Sequence, residues 1–311
     1  MSRLPVRRAC QLDTQPEEQR WLIDGLWADQ AVGVLGGEPK CCKSFCALDM
    51  AVSVASGVPC LGRFATSQTG RVLLYAAEDA QHVVRRRLDG ICRVVGADFD
   101  TLDVAVITAP SLRIDLAVDR ELLNNTIEAV KPKLVVLDPF VRLHRCNEND
   151  VQDVAPMLSY LRNLQRRFHC AVLLVHHARK GGHSRGGQAL RGSSELHAIG
   201  DSNLYLRRRG PDLLLSIEQR AAPSIDDIPI ALQGHDDALA LRVLDNDEPR
   251  APPPQATVAD KIVDTLTSTG PQTPRELRAA CGVRMARVYD ALRHLADDGR
   301  VVQDHGAYQL A

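Results

Sequence analysis

Apolar positions along this chain follow two rhythms. Short, nearly unbroken runs (Val32–Leu35, Val72–Ala76, Val104–Ile107, Leu134–Leu137 and Ala171–Val175) alternate with longer stretches in which apolar residues recur every third or fourth position. Unbroken runs predict strands buried on both faces, and the longer period predicts amphipathic helices. The helices expected this way run from the end of the first strand to about Ser56, through Val83, Val84, Leu88 and Ile91, over 119–130 and over 151–167. Such an alternation builds an α/β fold around a mostly parallel sheet. Two further strands, Asn203–Leu206 and Leu213–Ile217, flank Arg207, Arg208, Arg209, Gly210 and Pro211 and predict a hairpin at the end of this region. Ahead of the first strand, Trp21, Leu22, Ile23, Leu26 and Trp27 form an apolar cluster that reads either as a plug against that strand or as a wall beside a ligand.

The residues just past each strand matter more than the strands themselves. Gly37, Glu38, Pro39, Lys40, Cys41, Cys42, Lys43, Ser44 and Phe45 come after the first run and open the first helix. This is the phosphate-loop pattern G-x-x-x-x-G-K-[ST], with Cys42 at the second glycine. Backbone N–H groups at a helix start wrap phosphates, lysine adds a positive charge, and the hydroxyl reaches Mg²⁺. ATP with Mg²⁺ is the expected ligand. Cys42 admits two outcomes: a left-handed backbone there costs a Cβ on the order of 1 kcal/mol, whereas a residue already entering the helix tolerates it.

The next strand ends in Glu78 and Asp79. A carboxylate facing the terminal phosphate can polarise water, and Glu78 is the candidate catalytic base; acidic residues also suit a helix start. Three arginines further on, Arg85, Arg86 and Arg87, read as solvated face, with one free to reach a neighbouring subunit. Leu134–Asp138 has the Walker B form, a buried strand delivering Asp138 to the metal shell beside Ser44. Residues 142–150 then read as a polar loop over the site. The strand at 171–175 ends in His176 and His177, either a phosphate sensor or core histidines. The segment 178–194 holds Gly181, Gly182, Gly186 and Gly187 with Arg179, Lys180, Arg185 and Arg191 and no acidic residue. A mobile basic loop there suits a nucleic-acid backbone, and a plain solvent loop is the competing reading.

Composition narrows the partners. With 38 Lys+Arg against 39 Asp+Glu the formal charge is −1, so nucleic-acid contact must come from a local patch. Aromatic residues at 4% make a base-stacking platform a poor fit. Nine scattered cysteines without a CxxC pair point to free thiols in a reduced cytoplasm, and no four-ligand metal spacing occurs. No apolar run approaches the roughly 20 residues that span a bilayer, so no membrane association is expected.

Together, the phosphate loop, Ala77-Glu78-Asp79, Val136-Leu137-Asp138 with Arg142 and His144, His176 to Gly181 and Arg191 to Ser194 resemble the plasmid-encoded RepA class of hexameric replicative helicases, within the RecA-like P-loop ATPases. The resemblance covers about 20–245. It implies a RecA-like P-loop NTPase core, ATP and Mg²⁺ at subunit boundaries, a homo-oligomer (hexamer or filament) and a central channel for single-stranded DNA. It assigns Lys43 and Ser44 to phosphate and Mg²⁺, Glu78 to water activation, Asp138 to Mg²⁺ and His177 to sensing. Cys42 departs from that pattern. So does Gly200-Asp201-Ser202, where the family places an arginine, and this leaves the trans-acting arginine unassigned among Arg191 and Arg207–Arg209.

The expected organisation is an N-terminal arm over 1–18, the ATPase domain over 19–244, an acidic then proline-rich linker over 245–257 and a small α+β domain over 258–311. The last looks like a winged helix, with helices from Ala259, from Thr273 and over 284–296, and a hairpin of Val301–Gln303 with Ala307–Leu310. Thr273-Pro274-Arg275-Glu276 is a capping-box start. Arg284 and Arg287 would face a duplex if this domain reads DNA; its seven Lys/Arg against seven Asp/Glu suit protein docking equally well.

Overall fold

The computed structural model describes residues 6–11, 20–148, 150–177, 195–236, 238–244, 258–283, 285–297, 299–304 and 306–310. The chain divides into two compact units, Met1–Ala251 and Pro252–Ala311. The basic segment 178–194, the expected linker 245–257, most of the N-terminal arm and Arg284 lie outside the described residues.

The larger unit is built on one nine-stranded sheet. Its parallel part comprises β3 (Val32–Gly37), β4 (Val72–Ala76), β5 (Val104–Val106), β6 (Leu134–Asp138), β7 (Ala171–His177) and β8 (Ser202–Arg209). An antiparallel flank adds β9 (Asp212–Gln219), β10 (Ile225–His235) and β11 (Ala238–Val243), giving the order β11-β10-β9-β8-β3-β7-β6-β4-β5. Alternation sorts side chains to two cores. Val72, Leu74, Leu134 and Val136 pack with helices α1 (Lys43–Ser56) and α2 (Gln81–Val95) on one face. Leu73, Tyr75, Val135 and Leu137 pack with α3 (Ala117–Val130) and α4 (Val151–Phe168) on the other.

The expected strands all form, and β8–β9 is the expected hairpin. The strands β10 and β11 were not expected. Asp226, Asp227 and Pro229 interrupt the apolar pattern of β10, and its register with β9 shifts between Ile225 and Ile228. The early apolar cluster becomes a small hairpin, β1 (Trp21–Ile23) with β2 (Trp27–Ala28), whose Leu22, Ile23, Leu26 and Trp27 are fully buried. A methyl at Gly33 would strike the Trp27 ring and the Ser202 carbonyl, so the indole packs at the amino end of β3. That is the plug. The ligand-wall reading is corrected: the site opens at the other end of the strand, and none of these residues lines it.

The short α5 (Glu195–Ala198) comes just before β8, and in the smaller unit α6 (Val258–Thr269), α7 (Pro274–Cys281) and α8 (Met285–Asp297) precede a hairpin of β12 (Val301–Asp304) with β13 (Ala307–Leu310). Ile262, Leu266, Leu277, Val288, Leu292 and Leu295 form its core. Thr273 caps α7 through a full capping box, its N–H donating to Glu276 at 2.8 Å. Among the described residues, no helix is long and apolar enough to cross a membrane.

Candidate nucleotide site

Adjacent parallel strands deliver their carboxyl ends to one place, where ligands of open α/β sheets bind. Gly37 pairs with His177 across β3 and β7, and Ala76 pairs with Asp138 across β4 and β6. A cleft of about 310 Å³ opens over these ends, lined by Lys40, Cys41, Cys42, Lys43, Ser44, Phe45, Ala76, Glu78, Asp79, Arg87, Asp138 and His177. The carbonyls of Gly37 and Glu38 accept from the Lys43 ammonium, and Pro39 sits exposed in the turn. A methyl on Gly37 would run into the Leu206 carbonyl oxygen of β8, which is why glycine stands there.

The phosphate loop takes the costlier of its two expected backbones. Cys42 is the N-cap of α1 at φ 60° and ψ 25°, in the left-handed region. Lys40 shares that conformation at φ 65°. Residues of this kind in a tight loop turn its N–H groups inward, which makes an anion-binding nest. The cysteine Cβ carries a strain of about 1 kcal/mol there. Burial raises the thiols of Cys41 and Cys42, with Lys43 and Arg208 acting in the opposite sense.

Lys43 is 6% exposed, and its ammonium donates to the carbonyls of Gly37 at 3.0 Å and Glu38 at 2.7 Å. Burial lowers its pKa against the pull of Asp138 and Glu78. Across the cleft, burial pushes Asp138 up to about 6, and Asp79 and Glu78 add to that rise against a hydrogen bond from Ser44 and the charge of Lys43. Three cations (Lys40, Lys43 and Arg87), one hydroxyl and three carboxylates face the same space. This donor set fits a polyphosphate carrying a divalent ion, because the metal neutralises the carboxylates while the loop takes the phosphates.

Two contacts differ from expectation. Arg87 is not solvated face: it pairs with Asp79 inside the chain and lies 5.3 Å over the Phe45 ring, lining the cleft. Its place on the same amphipathic helix that Asp79 precedes was the available signal. Residues 142–150 are not simply a polar loop, since Leu143 and His144 are buried and Arg142 pairs with Glu78 at 2.9 Å. In the hairpin, Arg207 pairs with Asp227 of the same chain, and Arg208 stands near enough to the phosphate-loop thiols to be felt by them. Arg287 is exposed on α8 of the separate unit.

A family model for the AAA domain matches residues 2–183. The chain belongs to the AAA domain family. No curated protein matches the sequence. Among solved structures, a KaiC-like protein from the hyperthermophilic archaeon Pyrococcus horikoshii OT3 aligns with a TM-score of 0.51 at 15% identity, covering 72% of this chain and 94% of that one. At that identity the likeness is one of fold, and the fold is the RecA-like core of P-loop ATPases. P-loop ATPases of this kind generally bind ATP with Mg²⁺, and the family suggests an ATP-driven activity.

Proposed function

We propose that this AAA domain hydrolyses ATP to move on or remodel single-stranded DNA as a homo-oligomer, in the manner of the RepA-like helicases it resembles. The observation that carries the reading is the meeting of Lys43, Ser44, Glu78, Asp138 and His177 around one cleft. Bound Mg²⁺ supplies charge neutralisation between the phosphates. Lys43 and the loop N–H groups bind the phosphates, and Ser44 and Asp138 hold the ion. Glu78 takes the proton of the attacking water, and His177 stands at the end of β7 to register the terminal phosphate and pass its presence to the next segment. That segment, with Arg179, Lys180, Arg185 and Arg191, is the DNA-gripping element of the proposal. The small unit is read as a winged helix, with Arg287 on its third helix and Arg284 just before it in sequence as the residues for duplex DNA, or with the same fold serving as a docking module.

A second reading has its own support. Arg142 engages Glu78, and a strained cysteine sits in the cradle; both favour slow turnover, as in an ATP-gated DNA-binding factor that changes assembly without unwinding. Strand separation divides the two. The motor reading expects ATP-dependent unwinding and a DNA-stimulated ATPase that falls at least about a hundredfold in Glu78→Gln while ATP binding stays. ATP-dependent assembly on DNA with no unwinding would leave the gated-factor reading standing.

A further inference from the structure

Behind the cleft, a closed group of side chains joins the two strand ends that carry Asp138 and His177. Phe140, two residues past Asp138, is fully buried. The His144 ring lies against it, tilted, with centroids 4.4 Å apart, and the His176 ring meets it edge-on at 5.8 Å. Glu148 faces both rings at ion-pair distance without a hydrogen bond to either: its Oε1 is 3.4 Å from Nε2 of His144 and 4.0 Å from Nδ1 of His176. His144 and His176 are 7% and 1% exposed. Among the described residues no group of His, Cys, Asp and Glu is arranged to hold a metal ion, so these three are not a ligand set.

The sheet leaves a gap at this point. The paired register between β6 and β7 ends at Leu137 and Leu174, short of both functional residues. Asp138 is tied to β4 through Ala76, and His177 is tied to β3 through Gly37. No direct ladder pairing fixes one against the other. We propose that Glu148 is a positioning residue, bridging His144 and His176 so that the cluster of rings around Phe140 sets where His177 stands relative to Asp138. Burial works to raise the Glu148 carboxyl, yet His144, His176 and His177 together hold it below the usual range, as a carboxylate facing imidazoles requires. The inference rests on the ATPase reading for its kinetic consequence, but not for its geometry.

The test uses the full chain. In Glu148→Ala, turnover falls about tenfold while ATP affinity stays within about threefold, a loss confined to the chemical step. Glu148→Gln, whose amide still meets one ring, recovers at least half of that loss. Adding Glu148→Ala to His177→Ala costs nothing more, because both act through one side chain. Without nucleotide, the imidazole ¹⁵N resonances of His177 shift in Glu148→Ala. Should that variant not fold, His144→Phe keeps the ring packing against Phe140, removes the bridge and is read by the same outcomes. Wild-type turnover, a deficit that adds in full to His177→Ala, or unmoved His177 resonances would overturn the inference. A wild-type protein that neither binds nor hydrolyses ATP sinks the ATPase reading instead, and the resonances then decide the clasp alone.

Discussion

The two walls of the cleft are made of different material. On the β3–α1 side the site is backbone: a glycine with no room for a methyl, two left-handed residues and a lysine whose ammonium is held by the loop's own carbonyls. On the β4–β6–β7 side it is side chains: Glu78 on Arg142, Asp79 on Arg87, and the Phe140, His144, His176 and Glu148 clasp behind Asp138. Backbone sites tolerate few substitutions and fail all at once. Side-chain sites fail in part and can be tuned. Affinity for nucleotide is thus expected to follow the first wall, and rate the second.

The largest effect expected lies on the first wall. Lys43→Ala removes the buried cation of the cradle and should weaken ATP binding by about a hundredfold, since charge-assisted bonds in such a setting are worth about 1.5–3 kcal/mol each. The measure is titration with a fluorescent ATP analogue. Unchanged affinity would erase the division between the walls, because the loop would then not be the binding element.

A smaller effect separates two carboxylates with the same shift, one sealed inside α1 and one facing the cleft. Asp49, 1% exposed in α1, accepts from the Leu61 N–H at 2.8 Å and the Cys60 thiol at 3.4 Å, and burial pushes it up to about 6. Asp138 is also pushed up to about 6, but it faces the cleft. A carboxyl whose folded value lies above its unfolded one binds more protons when folded. Stability from it is full at low pH and is lost as pH rises through about 6. Asp49→Asn should therefore be more stable than the parent by about 2–3 kcal/mol at pH 8, with the gain gone by pH 4. Mg²⁺ with nucleotide should leave that difference untouched while binding more tightly as pH rises through the Asp138 range. Denaturant melts at the two pH values, with and without Mg²⁺–ATP, check both; a gain in Asp49→Asn that persists at pH 4 would assign it to packing instead.

How much of this was legible in the chain divides along the same line. The walls' side chains announce themselves, because unbroken apolar runs ending in Asp138, in Glu78 or in His177 can be read as strands delivering them. So can Thr273, whose box partner Glu276 lies three positions on. Backbone conformation is not written this way: Cys42 left both outcomes open, and only the fold decides its φ. For Arg87 the only signal was that its helix follows Asp79, because a helix face turned toward a cleft has the same period as one turned toward water. The strands β10 and β11 were hidden because their burial comes from neighbours in the sheet, with Asp226, Asp227 and Pro229 masking the alternation.

The smallest effect isolates the strain at Cys42. Glycine at φ 60° is free of the Cβ clash, which should favour the folded loop by about 1 kcal/mol, while its looser unfolded chain returns about 0.5–1 kcal/mol. Cys42→Gly should then leave stability within about 1 kcal/mol of the parent. Its turnover should be equal or faster, since the substitution also clears a thiol that lines the cleft. Cys42→Ala keeps the Cβ and removes only the sulfur, so the difference between the two variants is the backbone contribution alone. If alanine speeds turnover as much as glycine does, the thiol was the obstruction and the strained backbone is silent. If glycine alone does so, the cradle is limited by its conformation, and the first wall governs rate as well as affinity.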